Sequence, residues 1–153
     1  MSTFTIYNTA VGYIRIEHHN HKVSKLEILA DEPANLGVTN DFSEIVFNQL
    51  LEYFRGERRE FDIEVDISSC TTFQQRIYIE LQKIPYGETR TYKEIATLAG
   101  NPKASRAVGL ANNRNPITII IPCHRVIGSR GDLVGYASGL DVKRFLLDLE
   151  KLY

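Results

Sequence analysis

The sequence is poor in the features that mark several protein classes. It has two cysteines, Cys70 and Cys123, and no Cys-x-x-Cys pair, which rules out a zinc ribbon and argues against a disulfide framework. His18, His19 and His21 cluster. His19 and His21 would share one face of a strand, but no cysteine or carboxylate with ligand spacing joins them nearby. A polar hairpin tip is expected there, and neither a metal nor a cofactor is implied. The strongest apolar run, Ile117 to Ile121, is far too short to span a bilayer. No basic-then-apolar leader opens the chain, so an intracellular, cytoplasmic protein is expected. No long apolar stripe is evident, and a monomer is expected.

What is present suits one compact domain or two small subdomains sharing an interface. The 153 residues are 43% hydrophobic and 24% charged, enough for a core without staples. A net charge of −1 hides a division. Residues 1–72 hold 6 Lys+Arg against 12 Asp+Glu, or −6, and residues 73–153 hold 12 against 7, or +5. Between Ala99 and Gly131 there are five basic residues (Lys103, Arg106, Arg114, Arg125, Arg130) and no acidic one. Such a stretch is either a solvated face or the footprint of a polyanion.

The patterning gives an α+β fold, a small N-terminal sheet-plus-helix unit over residues 1–72 followed by a helical unit over 73–153. Phe4–Tyr7, Val11–Ile16 and Val23–Leu29 alternate apolar positions as strands do. Residues 41–55 read as an amphipathic helix, with Asn40 or Asp41 as its cap and Gly56 just past its end. Phe61 to Ile67 alternates apolar and acidic residues, which predicts a strand with one wet face. Thr72 can cap a helix carrying Phe73, Ile77, Leu81 and Ile84. Thr91-Tyr-Lys-Glu94 is a capping box leading into Ile95 and Leu98, and a third helix runs from about Lys103 to Asn113. Two short helices around a Gly-containing turn make either a plain helical hairpin or a helix-turn-helix.

The outer face of the third helix favours the second. Ala104, Ser105, Ala107, Gly109 and Ala111 leave a slim surface broken by Arg106. A mid-helix glycine costs about 1 kcal/mol against alanine, so Gly109 calls for a reason such as close approach to another backbone. A slim helix with one protruding arginine suits the minor groove. The segment after it, Asn115 to Val126, should run extended and buried, with Pro122 stiffening the support of Cys123. On a regular strand Cys123 and His124 would point to opposite sides, so any thiol–imidazole relay needs a bridging water or a bend.

The stretch Ile121-Pro-Cys-His-Arg-Val126 resembles the signature of the O6-alkylguanine-DNA alkyltransferases. The similarity extends through Tyr86-Gly87, Thr91-Tyr92, Leu98 to Ala104, Arg106 to Gly109, Asn115-Pro116, Gly135 to Ala137, and the closing helix from Val142-Lys143 to Glu150. The resemblance implies a winged helix-turn-helix-like unit that binds double-stranded DNA containing O6-alkylguanine. It implies Cys123 as the alkyl acceptor, His124 as base through a water, and Glu150 orienting the imidazole; unaided, Glu150 reads as a solvated helix-end carboxylate. Asn115 would brace the turn near the sulfur, and Tyr92 would donate to the ring nitrogen of the leaving guanine, although alone they read as a loop residue and the first apolar residue of a helix.

By the same resemblance the carbonyls of Cys123 and Val126 would read the exocyclic amine, with the Ala137 amide near O6 and Tyr136 beside the base. Arg106 would fill the place of the flipped base. Lys93, Asn101, Ser105, Gly109, Ser129 and Arg130 would face the DNA. Ser138 stands where many members have glycine, and Asn112 where an apolar or thioether side chain often lines the pocket; both bear on the size of alkyl group accepted. A non-transferring damage binder is disfavoured by Cys123 itself, and a Cys-His acyl transferase or peptidase leaves Arg106 unexplained. Cys70 matches no functional position and is expected to be a buried small residue.

Overall fold

A computed structural model describes residues 3–153. Three antiparallel strands, β1 (Thr3–Thr9), β2 (Gly12–His19) and β3 (Lys22–Ile28), form a meander in the order β1-β2-β3. Alternation puts Ile6, Ile14 and Ile16 on the buried face, as the period of two requires; Val23 and Leu26, three apart on β3, both face it because the pairing with β2 shifts register between Glu17 and His18. The tip between β2 and β3 turns through Asn20 and His21, both at positive φ. Its histidines go to separate partners, His18 to Asn40 and His19 to Asp66.

Helix α1 (Asp41–Phe54) is capped reciprocally by Asn40 and Ser43 and lays Val46, Leu50 and Tyr53 on the sheet. The alternating stretch 61–67 is not a strand. It touches the outer edge of β3 through a single bridge, Val65 to Val23, while Leu26 further along that edge pairs with Ile117. Two segments thus share one edge, and neither has room for a ladder. Phe61, Ile63, Val65 and Ile67 still pack against the core, so the alternation marks the buried face without marking the pairing.

Helix α2 (Thr72–Gln82) is capped by Thr71, one residue earlier than the expected Thr72, because Thr71 with Gln74 completes a capping box. A short strand β4 (Arg90–Thr91) leads into α3 (Tyr92–Leu98), capped by Thr91 and Glu94 as the sequence predicts. Helix α4 (Ser105–Asn113) starts two residues later than expected and has no side-chain cap. After it comes a 3-10 turn at Cys123–Arg125, then β5 (Val126–Ile127), which pairs in parallel with β4, and finally α5 (Leu140–Leu152). Helices α3 and α4 with this small ladder form the winged helix-turn-helix. One apolar cluster joins Ile14, Ile16 and Leu26 of the sheet to Ile77, Leu81, Val108 and Leu146, so both halves share a core. Cys70 is half-buried rather than buried.

Candidate active site and nucleic-acid interface

Residues 117–121 are buried but not extended. Ile119 adopts φ +74, a conformation that costs a β-branched residue about 1–3 kcal/mol. The neighbours impose it. Leu26 of β3 takes the Pro116 carbonyl at 2.8 Å and gives its own carbonyl to the Thr118 amide at 2.9 Å, while Ile121 N–H reaches back to the Ile117 carbonyl at 3.0 Å. Asn115 clamps the loop, donating to the Ile121 carbonyl at 2.8 Å and accepting from the Ile117 amide at 2.9 Å. The chain therefore enters Pro122 from a fixed loop, and Cys123 opens a 3-10 turn instead of ending a strand.

Cys123 is 4% exposed. Burial pushes its thiol up; Asn115, the Tyr136 hydroxyl and Lys143 act in the opposite direction without cancelling it. The resting group is a thiol and needs a base. His124 is fully buried, and among the described residues its Nδ1 has no hydrogen-bond partner, on the sulfur or elsewhere.

Its Nε2 lies 2.7 Å from Glu150. Glu150 is no solvated carboxylate. It accepts from Tyr53 at 2.6 Å, from Arg125 at 2.9 and 3.0 Å, and from the Gly87 amide at 3.2 Å. Gly87, at φ +80, ends the Pro85-Tyr-Gly turn and aims its N–H at that carboxylate, as only a glycine does at little cost. Burial would raise Glu150, but the bonds from His124 and Arg125 outweigh it and hold the carboxyl well below the usual range. Burial lowers His124 more than Glu150 raises it, so the imidazole is neutral at pH 7. A neutral ring facing a carboxylate through Nε2 carries its proton there. Nδ1 is left with a bare lone pair.

Between α4 and the wing, an apolar cleft of about 310 Å³ is lined by Tyr92, Ser105, Arg106, Gly109, Asn113, Val134 and Gly135. Tyr92 donates to the Val134 carbonyl at 2.8 Å. A side chain at Gly109 would meet the Tyr92 ring, at 3.8 Å, and among the described residues no backbone outside α4 makes the close approach that the sequence predicts. Ala111 is buried, not part of the outer face, and Leu110, 52% exposed, shares that face with Arg106. Asn112 does not line the opening. It is 2% exposed and donates to the Cys123 carbonyl at 3.2 Å. That carbonyl also accepts the Val126 amide, so it is engaged in the free protein. Val126 is buried in the β4–β5 ladder. Ala137 and Ser138 line a neighbouring cleft with Asn115 and Pro116, apart from Tyr92.

Lys93, Asn101, Ser129 and Arg130 are exposed around α3, α4 and the wing. Among the described residues, Lys93, Lys103, Arg106, Arg114 and Arg130 make no ion pair, whereas Arg15, Lys22, Lys25 and Arg58 of the first half are all paired with carboxylates. The basic charge on the helix-turn-helix is unspent, as on a surface that meets phosphates. The sequence reading missed Tyr53, Gly87, Arg125 and Lys143. Lys143 and Glu150 were visible in principle, because both stand on the apolar stripe of α5 at i and i+7 with Leu146 and Leu147 between them.

A helix-turn-helix fold built over a buried cysteine with a buried histidine beside it in sequence narrows the class of protein, and known proteins share the fold. A family model described as the 6-O-methylguanine DNA methyltransferase DNA-binding domain matches residues 72–152. A methylated-DNA–protein-cysteine methyltransferase of Methanosarcina barkeri is 48% identical, over 97% of this chain and 96% of that protein. The Mycobacterium tuberculosis O6-methylguanine methyltransferase crystal structure superposes with a TM-score of 0.90 at 45% identity, covering 99% of this chain and 94% of that one. The structure of Mycobacterium tuberculosis OGT in complex with DNA gives 0.88 at 45% identity, covering 97% and 92%. The chain belongs to the methylated-DNA–protein-cysteine methyltransferase family. No helix among the described residues is long and apolar enough to cross a membrane.

Proposed function

We propose that this chain repairs DNA by direct reversal, moving the alkyl group of an O6-alkylguanine to Cys123 in a single turnover, as a cytoplasmic monomer. The observation that carries this reading is the free Nδ1 of His124, held neutral and oriented by Glu150 in the residue next to a buried thiol. Through one water, Nδ1 takes the thiol proton. The S–C bond forms as the C–O6 bond breaks, the electron pair stays on the guanine, and the released proton balances the charge the base gains. Tyr92 transfers its donation from the Val134 carbonyl to a ring nitrogen, lowering the barrier where that charge builds. The Ala137 amide near O6 and the Val126 carbonyl at the exocyclic amine require the wing to shift toward the base. The product thioether offers no leaving group and no acyl carbon to water, so turnover ends.

The alkyl carbon is inaccessible in a stacked duplex, so the nucleotide must leave the helix at a cost of a few kcal/mol. Arg106 takes the vacated place, Ser105 and Gly109 let α4 lie close to the groove, and Lys93, Asn101, Ser129 and Arg130 hold phosphates. Mixing the protein with a duplex bearing O6-methylguanine should add the mass of one methylene to the Cys123 peptide. Tight binding with an unchanged mass would turn the reading into a non-transferring damage binder. Arg106→Ala should cut the transfer rate on duplex DNA by about 10-fold or more, with a smaller loss of affinity, since it fills the stack and makes one contact among many. Equal losses in both, measured by single-turnover mass spectrometry and anisotropy, would remove its place in the stack.

A further inference from the structure

Lys143 is a buried cation for which the reaction outlined above has no use. Its residue is 0% exposed, on the inner stripe of α5. Its ammonium makes one hydrogen bond, to the Val134 carbonyl at 3.0 Å, and lies 6.0 and 5.9 Å from the ring centres of Tyr92 and Tyr136. No carboxylate pairs with it among the described residues. A buried charge without a counter-charge is costly and rare.

The groups around it leave one candidate anion. From α3 comes the Tyr92 phenol and from the wing the Tyr136 phenol, both pushed up by burial and neutral at pH 7. The Tyr78 phenol of α2, near Cys123, is pushed well up by burial and stays protonated at neutral pH. The 3-10 turn brings Cys123, neutral His124 and Arg125. On α5 itself Asp141 and Arg144 are exposed, and Glu150 is matched by Arg125. Among the described residues only the sulfur remains.

We propose that Lys143 is the counter-ion of the Cys123 thiolate, a positioning residue held under the alkyl-acceptor pocket by the Val134 carbonyl. This rests on the reading of Cys123 as acceptor. Burial pulls Lys143 down to about 8 while Cys123 pulls it back up, and Lys143 in turn favours the ionised sulfur. The Val134 carbonyl accepts from Tyr92 as well as from Lys143. When the base takes the Tyr92 hydroxyl, Lys143 keeps that carbonyl satisfied, and the ammonium is held where its charge acts on the sulfur as it ionises.

The test is the pH profile of Cys123 alkylation by iodoacetamide, read by peptide mass so that Cys70 is scored separately. Lys143→Met should move the midpoint upward by about one to two pH units, the effect of one lost cation several Å away at an effective dielectric near 20. Lys143→Arg should restore most of that shift. Transfer from methylated duplex should fall about 10-fold or more at pH 7 in Lys143→Met and recover as the pH rises. A rate reduced equally at every pH, with the midpoint fixed, means packing alone and overturns the proposal. In the unmutated protein, the Lys143 titration followed by NMR should move to lower pH once iodoacetamide has capped the sulfur, and an unmoved titration also overturns it. Failure of methyl transfer in the unmutated protein would instead remove the acceptor reading, which iodoacetamide does not probe.

Discussion

Cys123→Ser should bind methylated duplex about as well as the original chain and transfer nothing. The exchange keeps the volume of the side chain nearly constant and places a hydroxyl among polar neighbours, Asn115, Tyr136 and Lys143, that already surround the sulfur. Stability should therefore change by no more than about 1 kcal/mol. Affinity should hold within about threefold, because a side chain 4% exposed touches DNA only after a base has entered. The reaction responds differently. A serine hydroxyl is far harder to ionise than a thiol, and neutral His124 has too little basicity to make up the difference. The expected loss is about 10³-fold or more, the scale on which removal of an enzyme's nucleophile acts. Single-turnover mass spectrometry and anisotropy measure the two quantities side by side. Methylation of the variant at Cys70 or any other residue would show that the acceptor had been misplaced.

Most of the scaffold was legible in the sequence because it is written in local chemistry. The Thr91–Glu94 box and Asn40 cap their helices, and the three N-terminal strands fall where alternation puts them. The misreadings share a cause. The alternation at 61–67 reports which side chains are buried, but a ladder also needs a free partner edge, and β3 offers only a short length of one. The β-branched run at 117–121 has the composition of a strand, yet pairing with Leu26 and the Asn115 clamp bend it until Ile119 sits at positive φ. Those contacts come from residues remote in sequence. Similarly, Cys123 and His124 stand out in a motif, while the groups that tune them do not. Tyr53 reaches Glu150 from α1 across 97 positions, and Lys143 looks like any helix charge until its place on the apolar stripe is noticed.

Glu150→Gln should damage reaction and fold together, for separable reasons. In the original chain the carboxylate accepts only, which fixes the proton on Nε2 and leaves Nδ1 as the base. A glutamine offers both a donor and an acceptor, so the ring can settle in the other tautomer with Nδ1 protonated. Transfer at pH 7 should fall by about 10²-fold or more, within the range that positioned acid–base groups supply. The fold suffers because Arg125, 7% exposed, loses its counter-charge; breaking a buried pair from one side costs about 3–5 kcal/mol. Acid supplies the control. Glu150 is depressed below its ordinary 4.5, so its stabilisation is complete above that pH and is lost as the pH falls toward its folded value. His124 is depressed below 6.5, so the unfolded chain takes up a proton that the folded chain refuses. Stability therefore falls with acid from about 6.5 downward, and more steeply below about 4.5, each fully engaged group contributing about 1.4 kcal/mol per pH unit. Urea unfolding across this range should show both slopes in the original chain and only the upper one in Glu150→Gln. If the variant keeps the lower slope undiminished, the acid sensitivity belongs to other carboxylates, and Glu150 is not the charge on which the buried histidine and arginine depend.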